Sequence, residues 1–179
     1  QVFILDNVDP HTVRWAWGRA KEGDPLLVVV SKSGETVETL SQFMLFLRLL
    51  KERWPDNWRE RVLVVTDPQR GPLRAFAKEE GIRSLAVPPG VEGRFSVLSP
   101  VGLLPAALLG VEIEEILLGA VEMDRAMRRD EENPALLGAY LLYLLHTEKG
   151  KGQWVTMPYS DSLLGAVSYT HLRAHETRH

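Results

Sequence analysis

The sequence predicts an α/β fold, a parallel sheet carrying helices on both faces in three layers. Short runs of buried-type residues at 26–30, 61–66 and 84–87 alternate with stretches of helical period. The run at 26–30 shows no polar alternation, as expected of a parallel strand covered on both sides. Turns rich in Gly, Pro and Asp separate the runs, at the spacing of strand–helix–strand units.

Taken in order, residues 2–5 read as a first strand, ended by Asp6-Asn7 and Asp9-Pro10. A helix follows over about 11–20, and Gly23-Asp24-Pro25 turns the chain into the strand at 26–30. From about Thr36 to Arg53, Val37, Leu40, Met44 and Leu47 recur at steps of three and four, with Phe43 and Leu50 widening the stripe. Glu38, Gln42, Arg48 and Lys51 point the other way, so this stretch is an amphipathic helix. Trp54-Pro55-Asp56-Asn57 breaks it. A strand at 61–66, a helix at 72–80 with Gly81 as C-cap, and a short strand at 84–87 stopped by Pro88-Pro89-Gly90 come next.

Residues 97–110 are almost wholly apolar, and the pattern changes from about Val111. Two helical stretches, 112–130 and 134–148, are joined by Asp130-Glu131-Glu132-Asn133-Pro134, whose acidic run is expected to face solvent and cap the second helix. Residues 153–158 (QWVTMP) read as a new strand. The expected organisation is a first α/β domain over 1–110, then a helical transition and the start of a second over 111–167. Residues 168–179 form a tail outside the fold, and the sheet is expected to be incomplete at both ends.

Composition narrows the function. With 179 residues, 45% of them hydrophobic, the chain can bury one substantial core. A formal charge of -3 leaves no electrostatic footprint for nucleic acid. The lack of cysteine excludes disulfides, a zinc ribbon and a thiol nucleophile, and fits a reducing cytoplasm. Charges such as Arg48 and Glu114 interrupt every apolar stretch before it reaches membrane-spanning length. The first six residues lack the basic region of a signal peptide and read as a strand already under way.

The segment LLVVVSKSGETVET at 26–39 places a tight hydroxyl-rich turn between a strand and a helix N-terminus. Such a turn gathers backbone N–H groups, hydroxyls and the Lys32 ammonium into one small volume, and the helix macrodipole there favours an anion. A phosphate fits. The same residues also make ordinary N-caps, so spacing alone leaves both readings open. Neither G-x-x-x-x-G-K-[ST] nor G-x-G-x-x-G occurs, which disfavours nucleotide binding. In an open α/β sheet, ligands bind beyond the carboxyl ends of the strands. Residues 6–9, 31–36, 67–70 and 88–96 occupy such positions. In the last of these, Gly90-Val91-Glu92-Gly93-Arg94-Phe95-Ser96 sets one arginine on a glycine-punctuated loop. It can offer a planar cation to a phosphate or a developing oxyanion, or be a solvated surface residue.

Taken together, SKSGETVET and GRFSVLSPVGLLP resemble the glucose-6-phosphate isomerase family, and more broadly the sugar isomerase (SIS) domain, a flavodoxin-like fold. The resemblance runs from about Val2 to Leu164 and includes the Asp6–Pro10 turn and YSDSLL. It implies that Ser31, Lys32, Ser33 and Thr36 hold the substrate's phosphate, Ser33 standing where relatives often have Thr. It further implies that Arg94 stabilises an enediolate and that Gly93 lets the loop approach the sugar. Glu92 stands where the family usually has Gly or Pro and is read as a solvated residue, not a base.

The implied reaction interconverts glucose 6-phosphate and fructose 6-phosphate through a cis-enediol(ate), as in glycolysis and gluconeogenesis. It needs no cofactor and no metal. The family's base is a Glu in an E-S-x-G-K segment, with a His and a Lys for ring opening further on. No such segment occurs in this sequence, so this chain alone is expected to be nearly inactive. His11 and His146 lack the family's flanking residues and are read as structural. The implied setting is cytoplasmic, with a hexose 6-phosphate substrate, no nucleic acid or membrane partner, and a homodimer for the full-length parent.

Residues 168–179 (SYTHLRAHETRH) match nothing in the family and resemble vector read-through in library-derived sequences. His171, His175 and His179 would share one face of a helix, a spacing that suits an adventitious metal. Two alternatives to the isomerase are a non-catalytic SIS module sensing a sugar phosphate, and a bifunctional phosphoglucose/phosphomannose isomerase. The GRFS loop argues against both.

Overall fold

A computed structural model describes residues 1–129 and 133–175, with the backbone alone from 170 onward. It divides into two compact units, Gln1–Val111 and Glu112 onward. In the first, α1 (Pro10–Ala20) precedes β1 (Leu27–Ser31), α2 (Val37–Arg53), β2 (Val62–Thr66), α3 (Pro72–Glu79) and β3 (Arg83–Ala86). A 3-10 turn at Gly93–Leu98 and α4 (Pro100–Leu108) follow. The sheet is parallel with order β1-β2-β3, each connection passing through a helix, so the α/β architecture read from the alternation is the one observed.

Because both connections step in the same direction, α2 and α3 cover the same face of the sheet. Val29, Val62 and Val64 on that face pack with Phe43, Leu47 and Leu50 of α2 and Leu73 and Ala77 of α3. Phe43 and Phe76 meet edge-on at 5.5 Å between centroids. A smaller cluster joins Val13 and Ala16 of α1 to Phe46 of α2. Central strand β2 is the most protected element: Val62, Val64, Val65 and Thr66 are each 0% exposed.

Two expected strands are absent. Residues 2–5 have no strand pairing; instead Phe3 and Leu5 pack against the α1–α2 cluster, and the Phe3 ring meets Trp15 edge-on at 4.9 Å. Residues 153–158 are likewise irregular, with Trp154, Val155 and Met157 exposed. A strand needs a neighbour to satisfy its N–H and C=O groups, and β-propensity without one does not make a strand.

The second unit contains α5 (Ile113–Met127), α6 (Pro134–Lys149), a short 3-10 turn and α7 (Leu164–His175). No described residue of α5 or α6 is buried, although both helices are rich in leucine. Asn133 caps α6: its Oδ1 accepts from the Leu136 N–H at 2.9 Å. Acidic residues 130–132 lie outside the described residues, as do residues 176–179 of the expected tail, His179 among them. Among the described residues, no helix is long and apolar enough to cross a membrane.

Candidate functional site

Strand β1 ends at Ser31, which is buried, and the chain turns through Lys32, Ser33, Gly34 and Glu35 into α2. Ser31 Oγ organises the turn. It accepts the Gly34 N–H at 3.1 Å and lies 3.1 Å from Thr36 Oγ1. Ser33 Oγ accepts the Glu35 N–H at 3.1 Å. Gly34 sits at φ 70, and a Cβ there would lie 3.0 Å from Thr66 Oγ1, so both conformation and space select glycine.

Thr36 occupies the N-cap position of α2, yet its hydroxyl makes no capping bond. It is turned back to Ser31 instead. Asp9, Ser99 and Asn133 do cap α1, α4 and α6. The first-turn N–H groups of α2 are therefore left without a side-chain acceptor, at the positive end of a 17-residue helix. Lys32, Ser33 and Thr36 are arranged around that end, with Lys32 and Thr36 exposed.

The β2–α3 loop, which sequence reasoning marked only as a strand end, braces this turn. Asp67 N–H donates to Lys32 O at 3.0 Å, and Leu73 N–H donates to Gly34 O at 3.3 Å. Gly71, at φ 90, lies so close that a Cβ would come 2.2 Å from Ser33 O. The Gly71-Pro72 pair opening α3 was the available signal. Asp67 Oδ1 accepts the Gln69 and Arg70 N–H groups, both at 2.8 Å. These two bonds hold its carboxyl below the usual aspartate range. Buried Arg74 ties the loop down from beneath, donating from Nε to Asp67 O at 2.7 Å and from Nη1 to Ser84 Oγ at 2.5 Å.

The arginine loop rises from the same edge of the sheet. Ser31, Thr66 and Ala86 are in register at the carboxyl ends of the three strands. Two strand spacings, about 10 Å in all, separate the outer ends. Val87 N–H donates to Thr66 O at 2.9 Å, and the chain then bends through Gly90, at φ 79. Ser96 Oγ donates to Gly93 O and Ser99 Oγ to Ser96 O, both at 2.6 Å, which fixes the 3-10 turn from within.

Arg94 Nη2 pairs with Glu92 Oε2 at 2.7 Å, and its guanidinium lies over the Phe95 ring, 5.1 Å from the centroid. Glu92, expected to be merely solvated, is thus the counter-ion of Arg94. A Cβ at Gly93 would meet nothing within 4 Å, whereas one at Gly102 would come 2.2 Å from Val97 O. Ser31, Ser33, Thr36 and Lys32 share one turn, while Gly93 and Arg94 lie on a separate loop two strands away. His11 and His146 lie on α1 and α6, away from both loops in sequence, and His11 is exposed.

Comparison with known proteins is consistent along almost the whole chain. The family model for phosphoglucose isomerase matches residues 1–175. Glucose-6-phosphate isomerase of Carboxydothermus hydrogenoformans is 43% identical over 163 residues, which are 90% of this chain and 35% of the relative. That of Thermus thermophilus is 43% identical over 141 residues, 78% of this chain and 34% of the relative. For Rubrobacter xylanophilus the identity is 39% over 165 residues, 91% and 38% of the two chains. The crystal structure of a hypothetical protein from Thermus thermophilus superposes with a TM-score of 0.73 at 42% identity, over 78% of this chain and 34% of that one. This chain spans about a third of the length of the relatives it matches.

Proposed function

The chain belongs to the phosphoglucose isomerase family, and we propose that the protein carrying it interconverts glucose 6-phosphate and fructose 6-phosphate. The carrying observation is the helix α2 whose N-cap threonine does not cap it. An anion at that end takes the acceptor role that the Thr36 side chain leaves vacant, and the sugar's phosphate is that anion. Ser31, Lys32, Ser33 and Thr36 supply hydroxyls and one ammonium around it. Lys32 outweighs the nearby carboxylates of Glu35 and Glu38 only if its ammonium reaches the phosphate directly, so Lys32 is the test of the site.

The chemistry moves a proton from C2 to C1 of the open-chain sugar, with negative charge collecting on the enediolate oxygens. Arg94 meets that charge with planar N–H donors. Its pairing with Glu92 holds the guanidinium on the loop, and Gly93 beside it keeps the backbone bare where the sugar comes close. Glu92 serves as a counter-ion and not as the proton carrier. That carrier is expected in an E-S-x-G-K segment, which this sequence does not contain, so the chain by itself is nearly inactive. The whole protein acts as a cytoplasmic homodimer in hexose phosphate metabolism, and residues 1–110 supply its first SIS domain.

Titration with glucose 6-phosphate tests the reading. Lys32→Ala is expected to weaken binding by roughly tenfold or more, the scale of one charge-assisted bond. Equal affinity in wild type and variant overturns the phosphate assignment.

A further inference from the structure

Thr66 closes β2 with a side chain that is wholly buried, and its Oγ1 has no hydrogen-bond partner. A buried hydroxyl without a partner costs stability, and it calls for a reason. Its surroundings are specific. Thr66 is the register partner of Ser31 on the adjacent strand, and both side chains are buried on the same face of the sheet. Thr66 Oγ1 also faces Gly34, in the middle of the turn, where an added Cβ would lie 3.0 Å from it.

Resting on the reading of this turn as a phosphate site, we propose that Thr66 is its positioning residue, the origin of a hydroxyl relay that forms when the anion is seated. A serine oxygen has two lone pairs and one proton. Ser31 Oγ already accepts the Gly34 N–H. When Thr66 donates to it as well, both lone pairs are filled and Thr36 can no longer donate to Ser31. The Ser31 proton then goes to Thr36 Oγ1, across the existing 3.1 Å pair, and the Thr36 proton points out to the anion. Every donor in the chain Thr66, Ser31, Thr36 now runs toward the negative charge, and each bond polarises the next. In the structure no described acceptor lies in hydrogen-bonding position for Thr66 Oγ1, so the relay forms only when the Thr66 hydroxyl turns toward Ser31 Oγ as the anion is seated.

The test titrates the full 179-residue chain with glucose 6-phosphate and, separately, with inorganic phosphate, recording melting curves for the same samples. Thr66→Val keeps the shape and removes the hydroxyl. It is expected to lower affinity for both probes by roughly fivefold to tenfold, while the ligand-free melting temperature stays level or rises. Thr66→Ser is expected to restore the affinity. A hydroxyl with a purely structural role would shift melting and leave affinity alone. Unchanged affinity in Thr66→Val, with binding lost in Lys32→Ala, overturns the relay and spares the phosphate site. If Lys32→Ala also binds as wild type does, the site and the relay fall together.

Discussion

Replacing Gly71 with alanine sets a methyl group against the back of the proposed phosphate turn. The new Cβ would lie 2.2 Å from Ser33 O and 3.4 Å from Gly34 Cα. Relief of the first contact requires a shift of about 1 Å, because packed carbon and oxygen atoms do not approach much closer than ordinary van der Waals distance. The backbone adds its own penalty. Gly71 sits at φ 90 and ψ 152, a region essentially reserved for glycine, where other residues cost about 1–3 kcal/mol. Overpacking contributes a further ~1–3 kcal/mol, so the expected loss of stability is about 2–6 kcal/mol.

Gly81→Ala is the matched control, with φ 67 but nothing within 4 Å of the added methyl. It should lose only the left-handed backbone penalty, about 1–2 kcal/mol. Urea denaturation of both variants measures the difference. Titration with glucose 6-phosphate measures whether the displaced Ser33 backbone weakens anion binding, expected for Gly71→Ala and not for Gly81→Ala. Equal stability losses in the two variants, with equal affinities, would refute the claim that the β2–α3 loop braces the turn.

Arg94→Ala in the whole protein should reduce kcat by roughly 10²–10³-fold, the usual loss for one oxyanion donor. Phosphate affinity should stay level, and normal turnover would remove Arg94 from the mechanism. Glu92→Gln retains the loop while removing the carboxylate from Arg94, so steady-state assays should show turnover largely kept. A collapse as deep as that of Arg94→Ala would instead mark Glu92 as the proton carrier. For Asp67, the depressed carboxyl sets the sign of the pH effect. Its stabilising contribution is complete above the ordinary aspartate value and is lost as pH falls through the lower folded-state value. Urea midpoints measured down the acid limb should therefore fall less steeply in Asp67→Asn than in wild type.

The parts of the fold that could be read directly were those whose signal is local. The three- and four-residue steps from Val37 to Leu50 specify α2 because one helix face is enough to bury them. The unbroken valines of β1 and β2 needed no partner information, since a parallel strand with covered faces is apolar throughout. Residues 2–5 and 153–158 also read as strands and failed because pairing is decided by neighbours far away in sequence. The apolar stretch from Val97 divides into a 3-10 turn and α4, with Pro105 inside the helix, a break that hydrophobicity does not report. In the candidate site, the chemistry-bearing residues stood out because Ser, Lys, Thr and Arg follow apolar strand runs abruptly. Gly71 and Thr66 did not. Their roles come from close approach between segments, which leaves no room for a Cβ at Gly71 beside Ser33 O and little at Gly34 beside Thr66 Oγ1, and no spacing within one segment encodes that. The Glu92–Arg94 pair was visible as two charges two residues apart, but its formation depends on the 3-10 geometry of the loop.

The Thr66-Asp67 segment bonds in both directions: Thr66 O accepts from Val87 N–H on one side, and Asp67 N–H donates to Lys32 O on the other. The turn and the arginine loop thus hang from two consecutive residues at the end of the best-protected strand. Local opening of either loop can stay private, but opening of the β2 end releases both at once. Amide hydrogen exchange at Asp67 and Val87 should therefore share one opening free energy, with the same denaturant dependence. Two loops far apart in sequence would then belong to a single cooperative unit, whose lifetime is set beneath the site and not in it.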